Sequence, residues 1–91
     1  MSNPARLDGK LAIVTGGGSG IGKATAKVFS EAGATVVVTG RRPEPLELVA
    51  KEIGGHAMAC DVSDQAQVQT MVAQALQITG KIDILLNNAG V

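Results

Sequence analysis

A chain of 91 residues is long enough for one small domain and too short for a cofactor domain with a separate substrate domain. With 45% hydrophobic residues and a formal net charge of zero, it is too apolar for disorder and carries no bulk charge to draw it to nucleic acid or an anionic membrane. One cysteine cannot close an internal disulfide, no apolar run approaches the roughly 18 residues of a membrane helix, and residues 1–8 lack a signal-like apolar stretch, so a cytoplasmic chain is expected.

Residues 1–8 read as a flexible tail, and 9–91 as one unit. Phe29 is the only aromatic residue, so the core must come from Val, Ile, Leu, Ala and Met. That palette suits strands buried on both faces and covered by helices. Leu11-Ala12-Ile13-Val14-Thr15 reads as a short buried strand, followed by the turn Gly16-Gly17-Gly18-Ser19-Gly20-Ile21-Gly22. Ile21, Ala24, Thr25, Val28, Phe29 and Ala32 then recur at helical spacing, and Gly33 stands where that helix would end. The β-branched run Thr35-Val36-Val37-Val38-Thr39 predicts a second strand.

Arg42-Pro43 and Glu44-Pro45 disfavour helix before each proline and allow one to begin after it. Leu46, Val49, Ala50 and Ile53 form the apolar stripe of this second helix, and Gly54-Gly55 ends it. Residues 56–60 are placed as a third strand mainly by their neighbours. Ser63 is read as the N-cap of a third helix whose apolar face is Val68, Met71, Val72, Ala75, Leu76 and Thr79, with Gly80 beyond its end. Residues 82–86 make a fourth strand, and Asn87-Asn88-Ala89-Gly90 a turn after it. The order β-α-β-α-β-α-β with short connections implies parallel strands, right-handed crossovers and an α/β doubly wound sheet.

The glycine turn carries the chemistry. A pyrophosphate needs many donors at close range, and the first turn of a helix offers free N–H groups and the positive end of its dipole. Gly16 can make the sharp exit from the strand, Gly20 can let a cofactor approach, and Gly22 can let helix and strand pack closely. The turn directly follows a strand and opens an amphipathic helix, the setting in which such a pattern signals a dinucleotide site.

At these residues the chain resembles the short-chain dehydrogenase/reductase family. Thr15, Gly16, Gly20 and Gly22 match its Thr-Gly-x-x-x-Gly-x-Gly signature. Asn87, Asn88, Ala89 and Gly90 match its Asn-Asn-Ala-Gly motif, and Asp61-Val62 matches the acidic residue after the third strand. The resemblance implies a Rossmann-type sheet of strand order 3-2-1-4 and hydride transfer between a nicotinamide and a carbonyl or alcohol. It implies that the backbone around Ser19, Gly20 and Ile21 meets the cofactor phosphates. It also implies that Asp61 bonds the adenine amino group with Val62 beside the ring. Asn88, Ala89 and Gly90 would line the ribose and the approach to the nicotinamide. Asn87 would brace the sheet, and Thr15 would tie the glycine turn to the loop after the fourth strand.

An acid at the end of the second strand would accept from the 2′-hydroxyl of NAD and repel the 2′-phosphate of NADP. Here Thr39-Gly40-Arg41-Arg42 stands instead. A guanidinium fork suits a phosphate, so NADP(H) is expected in preference to NAD(H), with Arg41 the leading contact and Arg42 a second. Family members with this preference often carry a basic residue where this chain has Ser19.

His56 and Cys60 read as structural, and one Cys with one His does not make a metal-ligand set. The family's catalytic serine and Tyr-x-x-x-Lys are not in these residues, since the chain has no tyrosine. The expectation is therefore the cofactor-binding half of an oxidoreductase, with no catalytic residue of its own and a substrate only in a longer form. The alternative is a binding module without turnover. Residues 82–86 would form an apolar sheet edge, so self-association is expected of the segment alone.

Overall fold

The computed structural model describes residues 6–18 and 20–87. In chain order the elements are β1 (Leu11–Thr15), α1 (Gly20–Glu31), β2 (Thr35–Gly40), α2 (Pro43–Ile53), β3 (His56–Ala59), α3 (Gln65–Thr79) and β4 (Ile84–Asn87). The strands form one parallel sheet of order β3-β2-β1-β4. Thr15 is in register with Thr39 on one side and with Asn87 on the other. The carboxyl ends of the strands therefore meet along one edge of the sheet, where the candidate site residues gather.

Alternation along the strands builds two cores. Val14, Val36 and Val38 face α1 and α2 and pack with Ala26, Leu46, Val49 and Ala50. Leu11, Ile13 and Val37 face the other way and pack with Cys60, Met71 and Ala75. On this second face α3 is the only described helix. Full burial of a side chain such as Leu46 or Ile13 stabilises by about 1.5–3 kcal/mol, which makes the three central Val residues of β2 and the run of β1 the main source of cohesion.

Several local expectations are corrected. Of the stretch read as a tail, residues 6–8 are described, and there Leu7 N–H donates to the Ala32 carbonyl at 2.7 Å while Arg6 donates to the Glu31 carbonyl and to Asp8. These contacts use carbonyls left open at the end of α1. The apolar stripe read for α1 is rotated. Ile21 is 76% exposed and Val28 63%, while Gly22 and Ala26 are buried. Small residues let the helix axis approach the sheet, and that approach turns the larger side chains outward.

The stripe of α2 is the expected one, closed by Gly54 in the left-handed region at φ 67°. The N-cap of α3 is Asp64 rather than Ser63; its carboxylate accepts from the N–H groups of Ala66 and Gln67. In α3 Leu76 and Thr79 lie exposed, whereas Ile78 packs against the core. Strand β3 ends one residue early, at Ala59, and β4 runs later than expected. Ile82 precedes β4 and packs under α3, and Asp83 bonds across to β1.

Asp83 is a feature the sequence did not single out. Its carboxylate accepts from Leu11 N–H at 2.9 Å and faces Lys81, and its side chain is only 17% exposed. The Leu11 bond first, then Lys81, holds its pKa below the usual carboxylate range. The contribution is therefore complete above the unfolded carboxylate range and is lost as pH falls through the lower folded value. Asp83→Asn is expected to lower Tm by a few degrees at neutral pH and to flatten the loss of Tm between about pH 5 and pH 3. Parallel melts across that range check it, and variant curves that simply run parallel to wild type would contradict it.

Candidate cofactor-binding site

The site starts from the backbone of the glycine turn. Gly16 leaves β1 at φ 66°, a conformation that suits glycine, and its N–H donates to the Thr39 carbonyl at 2.8 Å. The turn is thus fastened to the end of β2. Gly22 is buried one turn into α1, where a Cβ would run into the carbonyl of Gly16 and stand 3.1 Å from Gly17 Cα. Gly20, at φ 60°, opens the helix with free space where a side chain would stand. The first turn of α1 carries no acidic residue to neutralise its positive end.

Beside the turn lies a cleft of about 770 Å³ between the ends of β2 and β3. Gly16 and Gly18 form one wall, and Gly40, Arg41 and Arg42 the next. Pro45 and Leu46 bring in the start of α2, and Cys60, Val62 and Ser63 close the far side. Arg42 is the N-cap residue of α2, and its side chain makes no capping bond. Pro43 stands at the helix start, where its missing N–H costs nothing.

Asp61 stands at the rim. Its Oδ1 accepts from the Ser63 amide at 3.0 Å and hydroxyl at 2.7 Å, and lies 3.5 Å from Arg41 Nε. The Ser63 bonds first, and Arg41 after them, keep its carboxyl below the usual range. Gln67 Oε1 accepts from the Asp61 N–H at 2.9 Å, while Gln67 Nε2 donates to the capping Asp64. The loop from β3 to α3 is thereby held by the helix it opens. Burial pushes the Cys60 thiol up, partly offset by the neighbouring Thr39 hydroxyl. Thr39 Oγ1 itself is buried without a well-formed hydrogen bond.

Thr15 Oγ1 donates to Asn87 Oδ1 at 3.0 Å and to the Leu86 carbonyl at 3.3 Å, joining the ends of β1 and β4; the loop after the fourth strand to which Thr15 was expected to tie the turn lies, beyond Asn87, outside the described residues. Of the residues the sequence pointed to, Gly16, Arg41, Arg42 and Val62 line one cleft, with Asp61 at its edge and Gly22 buried behind the turn. Gly20 and Ile21 are exposed at the start of α1, outside the lining. Ser19, Asn88, Ala89 and Gly90 lie outside the described residues. Gly18, Gly40, Pro45, Leu46, Cys60 and Ser63 were not read as site residues. Leu46 and Cys60 look like core residues in sequence, and only the strand ends show that each also presents an edge to the cleft. Among the described residues no group of His, Cys, Asp or Glu could hold a metal, and no helix is long and apolar enough to cross a membrane.

The family model described as short chain dehydrogenase matches residues 10–91. A curated relative, the mitochondrial borneol dehydrogenase of Lavandula x intermedia, is 43% identical over 86 residues, which are 94% of this chain and 33% of that protein. The crystal structure of a hydroxysteroid dehydrogenase from Escherichia coli superposes with a TM-score of 0.89 at 42% identity, covering 96% of this chain and 39% of that one. That of a 3-ketoacyl-(acyl-carrier-protein) reductase from Brucella melitensis complexed with NADH gives 0.84 at 46% identity, covering 87% and 33%. The chain thus spans about a third of the length of the relatives it matches.

Proposed function

The chain belongs to the short-chain dehydrogenase family, and from that premise we propose that it is the cofactor-binding portion of an NAD(P)(H)-dependent oxidoreductase with a preference for NADP(H). When bound, the nicotinamide would give a hydride to a carbonyl in its reduced form or take one from an alcohol in its oxidised form. This chain's own residues bind and orient the adenosine half.

The backbone around Ser19, Gly20 and Ile21 takes the pyrophosphate at the open, acid-free start of α1, with Gly16 making the exit from β1 and Gly22 letting the helix pack close behind the turn. Asp61 and Val62 take the adenine, and Asn88, Ala89 and Gly90 the ribose side. Arg41 and Arg42, which line the cleft, take the 2′-phosphate. The substrate contacts and the proton-transferring residues belong to the parts of the family's fold outside these residues, so the segment by itself is proposed not to turn over.

The observation that carries the NADP(H) reading is the pair of arginines lining the cleft where β2 ends without an acid. The experiment is a comparative titration of the purified protein with NADPH and NADH by calorimetry. NADPH is expected to bind at least about ten-fold more tightly, as charge-assisted bonds to a phosphate allow. Equal or tighter binding of NADH would sink the preference, and no binding of either would sink the cofactor site itself.

A further inference from the structure

The parallel register of β2 and β3 makes a contact that neither motif announces. Asp61 follows β3, Arg41 follows β2, and Oδ1 of the first lies 3.5 Å from Nε of the second. The carboxylate is not a loose surface charge. Its oxygen is pinned by the amide and hydroxyl of Ser63, and its amide N–H by Gln67. The Ser63 bonds hold its pKa below the usual carboxylate range.

An acid beside the adenosine ribose is how a dinucleotide site turns away a 2′-phosphate. In this chain β2 ends without one. The sheet brings one in from the neighbouring strand and sets it against the cation that would read the phosphate. We propose that Asp61 is a specificity-determining residue that damps the preference for a 2′-phosphorylated cofactor by pairing with Arg41. This rests on the reading of Arg41 as the phosphate contact.

The physical case is one of competition. Arg41 is 74% exposed at its side chain, so the pair is screened and easily exchanged. A phosphate carries more charge than a carboxylate and offers more acceptor oxygens, so it can displace Asp61 or share the guanidinium with it. In either case part of the attraction between Arg41 and the phosphate is spent against an existing partner, and a negative charge remains beside the phosphate. The preference is expected to be moderate rather than absolute.

The test uses two adenosine fragments, adenosine 2′,5′-bisphosphate and AMP, titrated calorimetrically into the purified protein. Any effect of Asp61 on the adenine divides out of the ratio of their affinities. Asp61→Asn keeps an acceptor for Ser63 and is expected to raise the ratio about two- to five-fold. In an Arg41→Ala background the same change should move it less than about 1.5-fold, because the carboxylate then acts only through solvent. Asp61→Ser, run in parallel, removes the charge with a different shape and should raise the ratio as well. Thermal melts identify a variant that has failed to fold, and the other then decides. A ratio that falls or stays put overturns the damping role. An equal rise with and without Arg41 overturns its action through that residue. A wild-type ratio near one, unmoved by Arg41→Ala, overturns the phosphate reading on which the inference rests.

Discussion

Gly22→Ala is expected to destabilise the protein by about 3 kcal/mol and to abolish dinucleotide binding. The reason is what the added methyl would meet. A Cβ on Gly22 runs into the Gly16 carbonyl oxygen, stands 2.8 Å from its carbon and 3.1 Å from Gly17 Cα. All of these are backbone atoms, so no rotamer change can clear the space. Relief must come from lifting α1 off β1, or from opening the turn that Gly16 fastens to Thr39. Lifting the helix exposes Ala26 and unseats Phe29 from the core shared with Val14 and Val36. Opening the turn disperses the N–H groups proposed to hold the pyrophosphate.

Gly20→Ala is the control. Its backbone is left-handed, so alanine is strained there by about 1 kcal/mol, but nothing stands within 4 Å of the new carbon. Urea unfolding of the two variants separates crowding from strain. A Gly22→Ala protein with the midpoint of wild type would show that the close approach of helix and turn is not needed.

Arg41→Ala is expected to weaken NADPH binding about 10- to 100-fold while leaving NADH within about two-fold. The side chain lines the cleft and is exposed enough to reach a ligand, and its pairing with Asp61 is weak enough to yield. Arg42→Ala should cost less, because Arg42 caps α2 through its backbone and its side chain is not fixed by any capping bond. The loss on Arg41→Ala should shrink as salt is raised, since screening weakens the wild-type contact and leaves the variant little to lose. Equal losses for NADPH and NADH would point to a general disturbance of the cleft instead of a missing phosphate contact.

Much of the architecture could be read before any coordinates. Val36, Val37 and Val38 are β-branched and consecutive, and such a run is stable only as a strand covered on both faces, which is how β2 sits. Leu46, Val49, Ala50 and Ile53 leave one face for α2 to bury, and the helix buries it. The rotation of α1 was not legible in the same way. Ile21 and Val28 are the larger apolar residues of that helix, so periodicity assigned them inward. The face that packs is the one with Gly22 and Ala26, because distance to the sheet matters more there than side-chain area. The cap of α3 was missed by one residue because Ser63 and Asp64 have equal claims in sequence. Only the loop geometry, with Ser63 turned back onto Asp61, decides between them.

By itself the sequence determined that a strand, a glycine turn and a helix stand in an order that suits a dinucleotide phosphate. It also determined that the second strand ends in cations where an acid could have stood. Both follow from residue types with distinct local roles: glycine where side chains are excluded, branched residues where strands are buried, arginine where charge is wanted. The tertiary structure alone decided which of these residues share a cleft. It showed Leu46 and Cys60 to be wall as well as core, and it set Asp61 against Arg41. Those relations depend on the parallel register between β2 and β3, strands that a helix separates in the chain, and that pairing is fixed only when the sheet packs.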